Sequence, residues 1–142
     1  MYRCFSGKES EGIHYFKSVT RMKVLICEDD SLTLQALEHS IKVEGYETLT
    51  ARDGLEAKKL LEKEVIDLLV TDLHMPNIDG LELISFIRNS LKSTFPVIML
   101  TRVGSEDIVL KAFELGADDY ITKPFSPKEL SLRIRKALMH TH

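Results

Sequence analysis

The chain has 142 residues, 44% of them hydrophobic and 29% charged, and carries a formal net charge of −3. That length suits one compact domain with a single core. The slight acidity shows no footprint for nucleic acid across the chain as a whole, and no apolar run approaches the roughly 20 residues that span a bilayer. The two cysteines, Cys4 and Cys27, lie far apart and form no CxxC pair, so neither a thiolate metal site nor a disulfide framework is indicated. Free thiols suit a reducing compartment, and the cytoplasm is the default expectation.

Residues 1–21 mix charge, glycine and serine without a sustained period. They read as an N-terminal extension, poorly ordered as untethered ends often are. A domain is expected over 22–142. Its first apolar run, Val24–Cys27, is short enough for a strand, and Leu34, Leu37 and Ile41 then mark a helix face. Glu47–Ala51 alternates and carries two threonines, as a second strand would; Ala57, Leu60 and Leu61 follow at helical spacing. Leu68–Val70 is a third strand and Ile84, Ile87 and Leu91 a third helix. Val97–Leu100, then Val109, Ala112 and Phe113, repeat the pattern. Tyr120–Ile121, then Leu130, Ile134 and Leu138, close it.

Helix starts are marked by chemistry as well as by period. Asp53-Gly-Leu-Glu56, Asp79-Gly-Leu-Glu82 and Ser126-Pro-Lys-Glu129 have the form of capping boxes. Pro127 falls at a first helical position, where its missing N–H is harmless. Gly45 and Gly116 suit helix C-termini, and Asp30 suits an N-cap. Strict alternation of strands and helices implies an α/β fold, with a parallel sheet covered on both faces.

In such a sheet ligands gather outside the carboxyl ends of the strands. Glu28, Asp29 and Asp30 follow the first strand, Asp72 the third, Thr101 ends the fourth, and Lys123 follows the fifth. Any one of these residues alone is an ordinary cap, strand or surface residue. Together they place carboxylates, a hydroxyl and an ammonium on one edge. Clustered carboxylates repel; oxygen-only donors without cysteine or grouped histidine point to Mg²⁺ rather than zinc. With Lys123 and Thr101 the set would bind a phosphoryl group, and Asp72 would be its nucleophile.

The segments VLICEDD, LLVTDLHMPNIDG, VIMLT and GADDYITKPFSPKEL resemble a bacterial two-component response-regulator receiver domain from Met22 to about His140. The resemblance implies a (βα)5 flavodoxin-like three-layer sandwich with strand order 2-1-3-4-5. It makes Asp72 the phosphoacceptor. Asp29, Asp72 and the His74 backbone carbonyl become Mg²⁺ ligands, with Glu28 acting through water. Lys123 becomes the phosphate-binding lysine, Thr101 the switch hydroxyl and Tyr120 the switch aromatic. The Lys123–Pro124 bond resembles one that is cis in the family. The implied donor is a phosphohistidine on a sensor histidine kinase. The implied consequence is a shift of the helix 4–strand 5–helix 5 face.

Two departures stand near the pocket: Arg102, where the family usually has a small residue, and Val103, where it is often polar. Glu114 with Arg135, and Asp119 with Arg133, match pairs that bridge a homodimer of the winged-helix subgroup through that face. Val109 replaces a basic residue there, so one bridge is missing. Two other readings compete. One is a receiver used only as an unphosphorylated binding module. The other is a Mg²⁺-dependent aspartyl phosphohydrolase, disfavoured because His74 stands where such enzymes place a second acid. The first expectation is a signalling phosphoacceptor, not an enzyme.

Overall fold

The computed structural model describes residues 21–140; the extension expected over residues 1–21 lies outside them except for Arg21. Strands β1 (Lys23–Cys27), β2 (Glu47–Ala51), β3 (Leu68–Asp72), β4 (Val97–Thr101) and β5 (Asp119–Thr122) form one parallel sheet in the order β2-β1-β3-β4-β5. Between and after them run helices α1 (Ser31–Val43), α2 (Gly54–Lys63), α3 (Gly80–Ser85), α4 (Glu106–Leu115) and α5 (Pro127–Met139).

Alternation along the strands builds the three layers. Val24, Ile26, Val70, Ile98, Leu100 and Ile121 point to one face, where Leu34, Leu37 and Ile41 of α1 and Leu130 and Ile134 of α5 meet them. Leu25, Cys27, Leu69, Val97 and Met99 point to the other, against Ala57 and Leu61 of α2, Leu83 and Ile84 of α3, and Ala112 of α4. Each fully buried leucine or isoleucine stabilises this packing by about 1.5–3 kcal/mol. Among the described residues no helix is long and apolar enough to cross a membrane.

The caps differ from one another. Asp79 makes the full reciprocal box: Glu82 N donates to Asp79 Oδ1 (2.9 Å) and Asp79 N to Glu82 Oε1 (3.3 Å). Asp53 and Ser126 receive their helix N–H groups, but Glu56 instead accepts from Arg52 N (2.7 Å) and Glu129 pairs with Arg133 (3.4 Å). Asp30 caps α1 by accepting from Thr33 N and Oγ1. Gly45 and Gly116 follow or end helices at φ +99° and +120°, a region that favours glycine. The third helix departs from the expected continuous pattern. After Ser85 it widens into a π-helical turn, Phe86–Ser90, closed by Leu91 N donating to Phe86 O (3.0 Å).

Candidate functional site

Every strand that was expected to deliver a polar residue does so at the same edge of the sheet. Glu28 continues β1 by one residue, its N–H donating to Ala51 O (3.0 Å), and is fully buried. Asp72 is the last residue of β3 and only 4% exposed. Thr101 ends β4, one step beyond the residue paired with Asp72, and is 2% exposed. Lys123 follows β5, its N–H donating to Thr101 O (2.7 Å), and the Lys123–Pro124 bond is cis.

The side chains converge. Carboxylate oxygens of Glu28, Asp29 and Asp72 all lie within 4.8 Å of one another. Lys123 Nζ stands 2.8 Å from Glu28 Oε1 and donates to Asp72 Oδ2 (3.2 Å). His74 N donates to Asp72 Oδ1 (3.1 Å), and Asp30 N donates to Glu28 Oε2 (3.1 Å). Asp29 is exposed at the rim, its carbonyl accepting from the Arg52 guanidinium (3.1 Å). Arg52 was not anticipated, because nothing in its local sequence signals a contact with Asp29.

Burial pushes the Glu28 carboxyl pKa up, against the opposing pull of Lys123 and the Asp30 N–H. Burial also works to lower the pKa of Lys123, but its contacts with Glu28 and Asp72 outweigh that and leave it raised. The two shifts have one origin: several charges are held in a small, partly dehydrated space.

A divalent cation fits these residues. The donors are all oxygens, as Mg²⁺ requires. Glu28 Oε1 is buried and meets one cation, the Lys123 ammonium at 2.8 Å, which also serves Asp72. Three grouped carboxylates thus face one ammonium, and a divalent cation with its waters would balance the remaining negative charge.

The remaining predicted residues lie farther out. Thr101 Oγ1 donates to the carbonyl of Arg102 (3.3 Å). Tyr120 is 40% exposed and packs edge-on against Phe113, ring centroids 6.2 Å apart. Both border a mostly apolar groove of about 470 Å³ between α4 and β5, together with Val103, Val109 and Leu110. Arg102 and His74 are exposed. Asp119 and Arg133 pair within the chain (2.9 Å), while Arg135 pairs with Glu44 of α1 (3.1 Å) and Glu114 stands exposed on α4.

The profile of the family described as response regulator receiver domain matches residues 24–135. A probable transcriptional regulator ycf27 from Guillardia theta is 43% identical over 123 residues, which is 87% of this chain and 48% of that protein. The alkaline phosphatase synthesis transcriptional regulatory protein PhoP of Bacillus subtilis (strain 168) is 40% identical over 116 residues, 82% of this chain and 48% of that protein. The chain therefore spans about half the length of these relatives. Among solved structures, a putative response regulator from Chloroflexus aurantiacus J-10-fl superposes with TM-score 0.81 at 36% identity, over 85% of this chain and 100% of that one. The chemotaxis response regulator CheY4 of Vibrio cholerae does so with TM-score 0.78 at 32% identity, over 84% and 100%.

Proposed function

Because the chain belongs to the response regulator receiver domain family of two-component signalling proteins, we propose that it is a phosphoacceptor switch in which Asp72 takes a phosphoryl group from a phosphohistidine of a sensor histidine kinase. The observation that carries this reading is the setting of Asp72. It is a buried carboxylate at a strand end, touched by Lys123 and grouped with Glu28 and Asp29.

Asp72 attacks phosphorus in line through one carboxylate oxygen; the P–N bond breaks and its electron pair returns to the donor imidazole. Lys123, already on Asp72 Oδ2, moves its ammonium to the developing charge on the phosphoryl oxygens. The His74 N–H holds the other Asp72 oxygen and orients the carboxylate. A Mg²⁺ ion held by Asp29, Asp72 and the His74 carbonyl, and by Glu28 through water, would supply positive charge to the same oxygens. The product carries roughly two negative charges. Thr101 then exchanges the Arg102 carbonyl for a phosphoryl oxygen, and Tyr120 turns inward from its exposed position. The α4–β5–α5 face shifts as a two-state element.

The names of the relatives support a further reading for a longer protein: this face would control a transcriptional output and form the two-fold contact of a homodimer. Coupling to a sensor kinase would place the receiver in the cytoplasm. Acetyl phosphate with Mg²⁺ tests the core of the proposal. Mass spectrometry should show a phosphoryl adduct on the wild type and none on Asp72→Asn. If no Asp72-dependent adduct forms even with a cognate kinase, the binding-module reading replaces this one.

A further inference from the structure

The loop Leu73–Asp79 carries His74, and in the reading above the backbone of that residue must face the acidic pocket. The loop is closed at its ends by Gly80 N donating to Leu73 O (3.0 Å). A Cβ on Gly80 would stand 2.7 Å from both Asp72 O and Leu73 Cα, so the end of β3 and the start of α3 touch directly.

The far side of the loop is held by a different element, the first turn of α2. Asn77, at φ +70°, donates its side-chain amide to Asp53 Oδ2 (3.2 Å). The other oxygen of Asp53 caps α2 by accepting from Glu56 N (2.8 Å). One carboxylate thus serves a helix and a neighbouring loop at once. Next to it, a Cβ on Gly54 would run into the carbonyl of Ile78 and stand 2.6 Å from Ile78 Cβ. Gly54 supplies room for that approach. Behind the loop, Met75 Sδ lies 3.1 Å from the buried Cys27 Sγ.

None of Asp53, Gly54 or Asn77 belongs to the acidic cluster. All three bear on the short segment that joins His74 to α3. We propose that the first turn of α2, through Gly54 and the Asp53–Asn77 hydrogen bond, is a positioning element for the cation-binding loop: it fixes the height of the His74 backbone over Asp72 and so sets the affinity for Mg²⁺. This inference rests on the site reading given above. Partners hydrogen-bonded directly to metal ligands typically change metal affinity by about 10–100-fold when removed, and groups acting one step further out, through the loop, belong at the low end of that range.

The test is a Mg²⁺ titration of the full chain, followed by amide chemical shifts and by calorimetry, with melting temperatures measured in parallel in EDTA. Gly54→Ala pushes Ile78 away and should weaken Mg²⁺ binding by about tenfold. Asn77→Gly keeps the positive φ comfortable and removes only the amide. Asp53→Ser retains an equally good N-cap but has no second oxygen for the Asn77 amide. Each should weaken binding, and the Asp53→Ser, Asn77→Gly double variant should be no weaker than the worse single, because both cut the same bond. A packing role alone would lower the melting temperature in EDTA and leave the Mg²⁺ dissociation constant unchanged; that result overturns the proposal. Should Gly54→Ala fail to fold, Asn77→Gly decides alone. Wild-type chain that binds no Mg²⁺ would overturn both this inference and the site reading. Wild-type binding with equally tight variants would overturn only this one.

Discussion

Replacing Asp72 by asparagine removes a buried negative charge while keeping an oxygen for the His74 N–H. Three electrostatic changes follow. The attraction to Lys123 Nζ at 3.2 Å is lost, about 5 kcal/mol at an effective dielectric of about 20. The repulsion from the fully buried Glu28, whose nearest oxygens fall within 4.8 Å, is relieved, about 3.5 kcal/mol on the same footing. The first exceeds the second by at most about 1.7 kcal/mol, because 4.8 Å is an upper bound on the separation, and screening at the rim makes the share of exposed Asp29 small. The third change therefore decides: an ionised carboxylate no longer has to leave water, a relief of several kcal/mol reduced by the smaller burden of burying an amide. The net is a stabilisation of about 2 kcal/mol in the absence of divalent cations, or roughly 5–10 °C in melting temperature for a domain of this size. Calorimetry or urea titration in EDTA would read it. In excess Mg²⁺ the order narrows or reverses, since only the wild type retains the full oxygen set and binding adds about 2.7 kcal/mol at a hundredfold excess over Kd. Acid also narrows it. Burial has raised the Glu28 pKa above 4.5, so the folded wild type takes up that proton before the unfolded chain does, and its internal repulsion fades as pH falls. An asparagine variant less stable than wild type in EDTA at neutral pH would refute the reasoning, because the pocket would then be no store of unbalanced charge.

Three other outcomes follow from particular contacts. Lys123, held protonated by Glu28 and Asp72, contributes stability below its ordinary value of 10.5 that is lost as pH rises through its higher folded value; the difference in urea midpoint between wild type and Lys123→Met should shrink in that alkaline window. Cys27, whose pKa burial pushes up to about 12, should resist Ellman's reagent at pH 8 in the folded chain and react promptly in urea. Thr101→Val, near-isosteric at a site 2% exposed, should still accept phosphoryl on Asp72 but lose the accompanying change in the Tyr120 ring resonances; an unchanged Tyr120 response would remove Thr101 from the switch.

Much of the fold was legible because a doubly covered parallel sheet leaves two plain marks: continuous apolar strands and helix starts with side-chain caps. Val24–Cys27 and Val97–Leu100 fall inside β1 and β4 within a residue at their ends. The third helix was less legible. Ile84 and Ile87 are buried as their spacing requires, but the i→i−5 bond from Leu91 to Phe86 gives no apolar period of its own. That turn is held by Arg88, whose guanidinium reaches the carbonyls of Gly116, Ser93 and Phe95 and the Asp118 carboxylate. An arginine in a helical pattern reads as solvated surface until distant loops are brought beside it. The fourth helix was read as packing Val109, Ala112 and Phe113 inward, yet only Ala112 is buried, and Phe113 instead borders the groove beside Tyr120.

At the site, strand ends were readable because the sheet converts sequence position into place: the residue after each strand has to stand on one edge. What the sequence withheld is which partner each charge takes. Arg135 matched an intersubunit pair with Glu114 but reaches Glu44 of α1, and Arg133 already holds Asp119 within the same chain. The exposed Arg135–Glu44 pair is worth only about 0–1 kcal/mol and could be exchanged for a partner across a two-fold axis at small cost, whereas Arg133 holds a largely buried Asp119 through both carboxylate oxygens. A buried set cannot be exchanged so cheaply. Lys123 lies between Glu28 and Asp72, one ammonium against two buried carboxylates. The exposed Arg135–Glu44 pair is cheap to exchange, whereas the pocket sets three grouped carboxylates against one ammonium. That asymmetry is what a phosphorylation switch needs: a centre that responds strongly to added charge, and a surface whose contacts are weak enough to follow.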